Sequence, residues 1–411
     1  MKHLQISMIC TACCLPLVLS GCGSRQNAAT DGGLVSVQYE KLPQGEDLQL
    51  SEWVGEPEFI ALDSSVPEAF TDGGDITVSE HYIGIFPNTE RPFKLFDRAT
   101  GKFLYNVGNI GRGPGEYNRI SFAQIDETGG KIWISTLYDN KIHTYDLSTG
   151  RFLEDLSLAY EAEGNPNQGY NFLVDGSAQT ITIATTPFDN GCPFIAWCQD
   201  YEGNVLWEIP KTRTIPENAM LSLHTSLNVG GALDISQWSM NTQQDTLFVI
   251  EDRELHPLLT MELGKTTEPN ALTFNDGDYL HEPYILSDYV LVNISQTKMV
   301  TSRNTGSGAS ISLETDLLPA IVLDRRTGKV SRRTVIDDIL TMDKTSPSFK
   351  CGYLAESYSA EYFIDKAAEA LEEGNLSNAA RRSISTILKS LGKEDNNVIM
   401  LAPLKQRIPL I

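Results

Sequence analysis

The residues able to do chemistry are spread thinly along this chain. Beyond the first two dozen residues the histidines are His81, His143, His224, His256 and His281. None falls in an H-E-x-x-H or a paired metal-ligand spacing, so a hydrolytic zinc site is not encoded locally. His143, within "KIHTYD", is expected at a surface or sheet edge. Asp75, Asp126, Asp175 and Asp276 could line a channel and hold a divalent cation through oxygen ligands. Acids that close strands more often form turns, and the expectation is no metal and no cofactor. "GSGAS" at 306–310 lacks the Gly-x-Ser-x-Gly order of a nucleophile elbow, and the run "TSRNTGSGAS" reads as a mobile loop. Tyr82, Tyr138, Trp197, Trp238, Tyr279 and Tyr284 could stack on sugars or peptides, though aromatic packing between sheets is the commoner use.

The most suggestive stretch is "NVGNIGRGPGEYNR", residues 106–119. A phosphate-binding P-loop needs Lys and then Ser or Thr after the last glycine, whereas Gly115 is followed by Glu116 and Tyr117. A dinucleotide turn needs uninterrupted Gly spacing opening a helix, whereas Pro114 breaks the run and "NRISFAQID" continues as strand. Glu116 would also repel phosphate. Gly108, Gly111, Gly113, Pro114, Gly115, Glu116 and Tyr117 therefore read as a structural turn joining two pieces of sheet.

Those pieces repeat. "FKLFDRATGKFLYNVG", "IHTYDLSTGRFLEDLSL", "FIAWCQDYEGNVLWEIP", "TLFVIEDRELHPLLTMEL" and "AIVLDRRTGKVSRRTVI" each run strand, Asp, tight turn, strand. Their aspartates, Asp97, Asp146, Asp200, Asp252 and Asp324, lie 49, 54, 52 and 72 residues apart, close to a propeller-blade period. An Asp at a strand end bonds the backbone of the turn, and Gly closes the hairpin. The expected fold is all-β: a six-bladed β-propeller, with a β-sandwich as the alternative. "EPEFIALD" near the start and "NNVIMLAPLK" near the end are lone strand signals, so the sixth blade is expected to join the two termini. A helical insertion is expected at about 358–392. There Ile384, Ile387, Leu388 and Leu391 share one helix face, Gly374 separates two helices, and Gly392 marks the end. It is expected to cover the end of the ring, with a partner surface as the other reading.

The first residues, "MKHLQISMICTACCLPLVLSGC", join a lysine to an apolar run and a small-small-Cys ending, the pattern of a secretory signal. "LSGC" resembles the lipobox of bacterial lipoproteins, which makes Cys22 the acylated mature N-terminus and 1–21 the signal peptide. Residues 22–45 read as a lipidated flexible tether and 46–411 as the propeller. The whole chain carries −22, and the leader holds one lysine and no acid, so the mature charge is −23. That balance disfavours nucleic acid and anionic lipid surfaces as partners, while 41% hydrophobic content supports a packed core. Of the remaining cysteines, Cys192 and Cys198 flank a strand-like "PFIAW", about 20 Å apart if extended and too far to bridge. Cys351 completes an odd set.

"FDRATGKFLYNVGNIGRGPGEY" resembles the signature of six-bladed β-propeller lipoproteins of Bacteroidota, related in shape to NHL-type propellers; the match runs from Asp97 to Tyr117. "LQLSEWVGEPEFIALD" and "KEDNNVIMLAPLK" extend it, with Asn397 standing where the family often has Pro. The resemblance implies the fold and an outer-membrane address on either face, but no catalytic residue. The expected function is a lipid-anchored, monomeric binding module for a peptide, protein or glycan. The alternatives are a metal-dependent propeller hydrolase or lyase and an accessory subunit of an outer-membrane transport complex.

Overall fold

The computed structural model describes residues 29–31, 34–71, 73–86, 91–136, 141–160, 170–185, 188, 191–212, 214, 224–227, 233–237, 244–264, 279–286, 288–305 and 308–405. Cys22 lies outside these residues, as do Tyr138, Trp238 and Asp276.

Six antiparallel sheets form the ring. Blade one is Asp75–Val78, Tyr82–Phe86, Phe93–Asp97 and Phe103–Val107. Blade two is Ile120–Asp126, Lys131–Thr136, Lys141–Asp146 and Phe152–Ser157. Blade three is Tyr170–Asp175, Thr180–Thr185, Phe194–Asp200 and Val205–Pro210. Blade four is His224–Leu227, Leu233–Gln237, Gln244–Glu251 and Glu254–Glu262. Blade five is Tyr279–Ile285, Tyr289–Thr305, Gly308–Asp324 and Lys329–Arg333. Blade six takes Phe349–Lys350, Tyr353–Tyr358 and Val398–Pro403 from the end of the chain and Glu58–Ala61 from its beginning. The first strand of each blade is innermost, and the inner strands of blades six, one, two, three and four meet in succession around the axis.

The closure joins the two predicted lone strands. Val398 pairs with Ala61, Ile399 with Ile60, Met400 with Phe59 and Leu401 with Glu58. Val398 through Ala402 are fully buried. Both faces of these strands are apolar because each blade is packed between two others. Asn396 locks the seam. Its Oδ1 accepts from Thr71 N (3.0 Å) and Asn397 N (3.0 Å), and its Nδ2 donates to Asp63 O (3.0 Å) and Ala69 O (2.8 Å). Arg98 of blade one reaches back to blade six, donating to Glu58 (3.1 Å) and Tyr353 Oη (3.2 Å) while stacking 4.5 Å from the Tyr353 ring.

The repeated turns use the predicted chemistry in four of five cases. Asp97, Asp146, Asp200 and Asp324 each accept from backbone N–H groups of their own turns. Asp252 differs: Asp252 and Arg253 themselves adopt φ of 51° and 65°, so this hairpin turns on two left-handed residues.

Two segments depart from expectation. Leu34–Gln38, inside the stretch that composition assigns to a tether, is a strand parallel to the outer strand of blade four. Val35, Val37 and Tyr39 alternate inward and are buried there. The Ser/Gly-rich run read as a mobile loop is instead strand up to Thr305 and again from Gly308, with Arg303 opposite Ser310 and Asn304 opposite Ala309. It prolongs the middle hairpin of blade five beyond its neighbours, where among the described residues the two strands pair only with each other.

The helical insertion falls between the second and third strands of blade six. Ser359 caps α1 (Ala360–Glu373) and Ser377 caps α2 (Asn378–Ile387) through side-chain acceptance of backbone N–H groups. α2 ends at Ile387, short of the Gly392 signal, with Leu388–Ser390 in a turn. Phe363, Ala367, Ala370, Ala380 and Ile384 are buried against Leu50, Trp53, Phe59 and Leu340, so the apolar faces are covered by the ring itself.

Candidate functional site

The up-down order of each blade puts all crossovers, and every connection between second and third strands, at one end of the ring. The helical insertion belongs to that end, and so does the crossover from blade five to blade six, residues 337–348. Polar and charged side chains gather under this crossover.

Asp337 is almost fully buried. Its carboxylate accepts from Ile339 N (2.9 Å), Leu340 N (3.0 Å) and Thr341 N (3.1 Å), closing the start of the crossover as a nest. At the far end of the crossover, Ser348 N donates to Glu356 Oε1 (2.8 Å) and Ala355 N to Ser348 O (2.9 Å). Asn293 of blade five donates through Nδ2 to Pro347 O (3.0 Å). Tyr284, from the inner strand of blade five, is buried edge-on to Phe349 at 5.3 Å. Lys350 on the inner strand of blade six meets Asp75 on that of blade one at 3.4 Å.

Glu356 is the carboxylate that this arrangement perturbs most. Burial pushes its pKa up to about 7, and the charges of Asp337 and Glu282 add to the rise; the Ser348 N–H and Lys350 oppose it. Burial, with Asp337 and Glu356 next in effect, also raises Tyr358 well above its usual value. The junction of blades five and six thus holds a carboxyl group poised to exchange a proton near neutrality, among further acids. Chemically it can attract a cationic group or hold a shared proton.

The residues singled out by sequence are scattered by comparison. Asp75 opens its inner strand while Asp126 and Asp175 close theirs, so they stand at opposite ends of the ring. Asp175 accepts from Ser177 N (3.0 Å) and Ala178 N (2.9 Å), the turn-forming role. Among the described residues no group of three or more His, Cys, Asp or Glu is placed to hold a metal ion.

His81 is exposed and meets Glu127 of the next blade at 2.7 Å, which holds the imidazole pKa up. His143, expected at a surface or edge, is instead buried, with Nδ1 2.7 Å from Asp155 on the outer strand. Blade-to-blade packing covers the third strand on both faces. His224 lies in the inner strand of blade four, His256 is exposed on its outer strand, and His281 is buried in blade five. Trp197 is core, its Nε1 donating to Gln199 (2.9 Å); Tyr279 is half-buried and donates to Glu40 (2.7 Å); Tyr82 packs at the margin of the core between blades one and two. Cys192 and Cys198 are buried free thiols, and Cys351 is exposed.

The glycine loop is filled by its own side chains. Glu116 Oε2 accepts from Gly113 N (2.8 Å) and lies where a side chain on Gly111 would go. Tyr117 is buried beneath, accepting from Phe93 N (2.8 Å) and donating to Val107 O. Tyr145 donates to Gly115 O (3.0 Å). Gly115 itself has φ of +69°, and a Cβ there would stand 2.2 Å from Phe152. Carboxylate and phenol occupy the space a phosphate would need.

Glu356, Asp337 and Glu282 were not singled out by sequence. A faint signal existed in "YLAESY", where an acid follows two apolar residues in a strand due to be sandwiched between blades.

Residues 35–403 match the family model described as Domain of unknown function (DUF4934). No curated protein matches the chain. Among solved structures, an exported protein of Bacteroides fragilis NCTC 9343 is similar at 12% identity and a TM-score of 0.52, covering 90% of this chain and all of its own. A member of the DUF4221 family from Bacteroides vulgatus ATCC 8482 is similar at 11% identity and a TM-score of 0.48, covering 86% of this chain and 97% of its own. At such identities the likeness to the first is one of fold.

Proposed function

The chain belongs to the DUF4934 family, and from that premise we propose that it is a lipid-anchored envelope propeller that acts as a binding module for a peptide, protein or glycan. The observation that carries this reading is the closed ring with its crossovers, long hairpin and helical insertion all at one end. A ring tied by its own termini is a stiff platform, and its connections can vary without disturbing the sheets. An address outside the cytoplasm agrees with the exported neighbour of the same fold and with the apolar leader ending at Cys22. Among the described residues no helix is long and apolar enough to cross a membrane, so lipid on Cys22 would supply the attachment.

Fractionation tests the anchor. Cys22→Ala should move the protein from the membrane pellet to the soluble fraction; retention in the pellet after a carbonate wash would overturn it. Co-purification of the intact lipoprotein from detergent-solubilised envelope tests the module. A stoichiometric protein or glycan companion supports the reading, and recovery of the propeller alone at every salt concentration counts against it.

A further inference from the structure

The N-terminal segment does more than lead into the ring. After pairing with blade four it crosses to blade five, where Arg332 N donates to Pro43 O (2.9 Å) and Gly45 N to Arg332 O (2.8 Å). It then pairs Leu48–Gln49 with Val335–Ile336 before entering blade six. The segment is thus a strap over the outer rim. Between the strap and blade five lies a cavity of about 850 Å³, away from the inner acids, lined by Ser36–Gln38, Lys41–Gly45 and Thr327–Ser331. Its size is that of a small-molecule site.

The charge of this lining runs against the rest of the molecule. The chain carries 54 acids against 32 lysines and arginines, yet the lining holds Lys41 and Lys329 and no acid. Both lysines are exposed. Of the acids around the strap, Glu40 accepts from Tyr279 (2.7 Å) and lies 3.7 Å from Arg332, and Glu262 accepts from Gln38 (2.7 Å), while Glu46 and Asp47, exposed on the strap just past Gly45, are not part of the lining.

The wall is rich in hydrogen-bonding groups as well. The strap takes up the backbone of Arg332 on the outer edge of blade five. Strand alternation turns the N–H and C=O of Val330, two residues away, to the same edge, beside the cavity. Ser36, Gln44, Thr327 and Ser331 supply side-chain donors and acceptors.

We propose that this strap-roofed rim cavity is a binding site for an acidic glycan, a short sugar chain whose carboxylate or sulfate groups pair with Lys41 and Lys329 while its hydroxyls meet the Val330 edge and the surrounding polar side chains. The inference rests on the binding-module reading and names a ligand class for it. Its failure leaves the Cys22 fractionation result untouched, so the two can be told apart.

The test is titration calorimetry on the purified protein with three defined probes: an oligogalacturonate trisaccharide, a heparin-derived sulfated tetrasaccharide and neutral maltotriose. At least one acidic probe should bind saturably with Kd below about 1 mM. Maltotriose should bind at least about tenfold more weakly, a difference of about 1.4 kcal/mol. The double variant Lys41→Gln/Lys329→Gln should lose about tenfold or more for the acidic probe with an unchanged melting temperature, since both side chains are exposed. Binding unaffected by the variant, equal binding of the neutral sugar, or no saturable binding of either acidic probe would each overturn the proposal. So would lysine-dependent binding to anionic phospholipid vesicles without binding to either acidic sugar.

Discussion

At the scale of single residues, Glu356, within a strand of blade six, and Asn396, just before the closing strand, do different work with the same raw material, a polar side chain. Glu356 titrates. Its folded pKa, near 7, lies above the ordinary 4.5, so the folded state holds its proton more tightly than the unfolded chain does. That contribution to stability is complete below pH 4.5 and is lost as pH rises through 7. The loss is on the order of 3 kcal/mol, at about 1.4 kcal/mol per pKa unit. Glu356→Gln should abolish this component, so the difference in unfolding free energy between variant and wild type should grow in the variant's favour from pH 5 to pH 8. Denaturant melts across that range check it, and parallel pH profiles would sink the assignment. Asn396 does not titrate; it ties four backbone positions of the seam. Asn396→Ala leaves buried donors and acceptors unpaired, at about 1–3 kcal/mol each. A loss of at least about 3 kcal/mol in a denaturant melt is expected, and a loss below about 1 kcal/mol would mean that water replaces the amide.

At the scale of elements, the Gly-Pro-Gly-Glu-Tyr turn shows how one signature can look like a nucleotide site and be a joint. Its backbone follows Gly115 into left-handed space, and its polar groups close on Glu116, Tyr117 and Tyr145. Gly115→Val combines a forbidden φ with a clash against Phe152, and should cost several kcal/mol, on the order of 2–4. Thermal melts measure it. Tight, saturable binding of ATP or NAD by the wild type would contradict the filled loop. The helical insertion is likewise structural: its apolar faces are spent on the ring, and α1 offers Tyr362 as its one large exposed apolar side chain among the described residues.

At the scale of the whole molecule, stability depends on one strand. Val398–Pro403 pairs on one side with Tyr353–Tyr358 and on the other with Glu58–Ala61. Deleting residues 397–411 removes both ladders, at roughly 1 kcal/mol per hydrogen bond. It also strips the core of Val398, Ile399, Met400 and Leu401, at roughly 1.5–3 kcal/mol each. The sum matches the entire stability of an ordinary domain, about 5–15 kcal/mol. The truncated chain should aggregate or be degraded, and a soluble product with an unchanged cooperative melt would refute the closure. A disulfide between Ala61→Cys and Val398→Cys, which face each other in register, should form and raise the melting temperature.

The sequence by itself determined the repeating hairpins, the blade number and the pairing of the two termini. Each of these follows from local signals: alternation, an Asp-to-Gly turn at a steady interval, and two strands without neighbours. It also excluded the glycine run as a phosphate cradle, because that chemistry needs particular residues in consecutive positions. Only the tertiary structure decided which acids meet. Glu282, Asp337 and Glu356 are far apart in sequence and become neighbours because blade six is laid against blade five. Asp75, Asp126 and Asp175, alike in sequence, are parted because a strand's first and last residues lie at opposite ends of the ring. The same holds for the strap. Val35, Val37 and Tyr39 form too short a pattern to stand out beside the polar residues before them; Val35 and Val37 become strand because the outer edge of blade four offers partners, and Tyr39 is buried just beyond the strand's end. Burial and proximity belong to the closed ring, and the pKa of Glu356 and the rim cavity come with it.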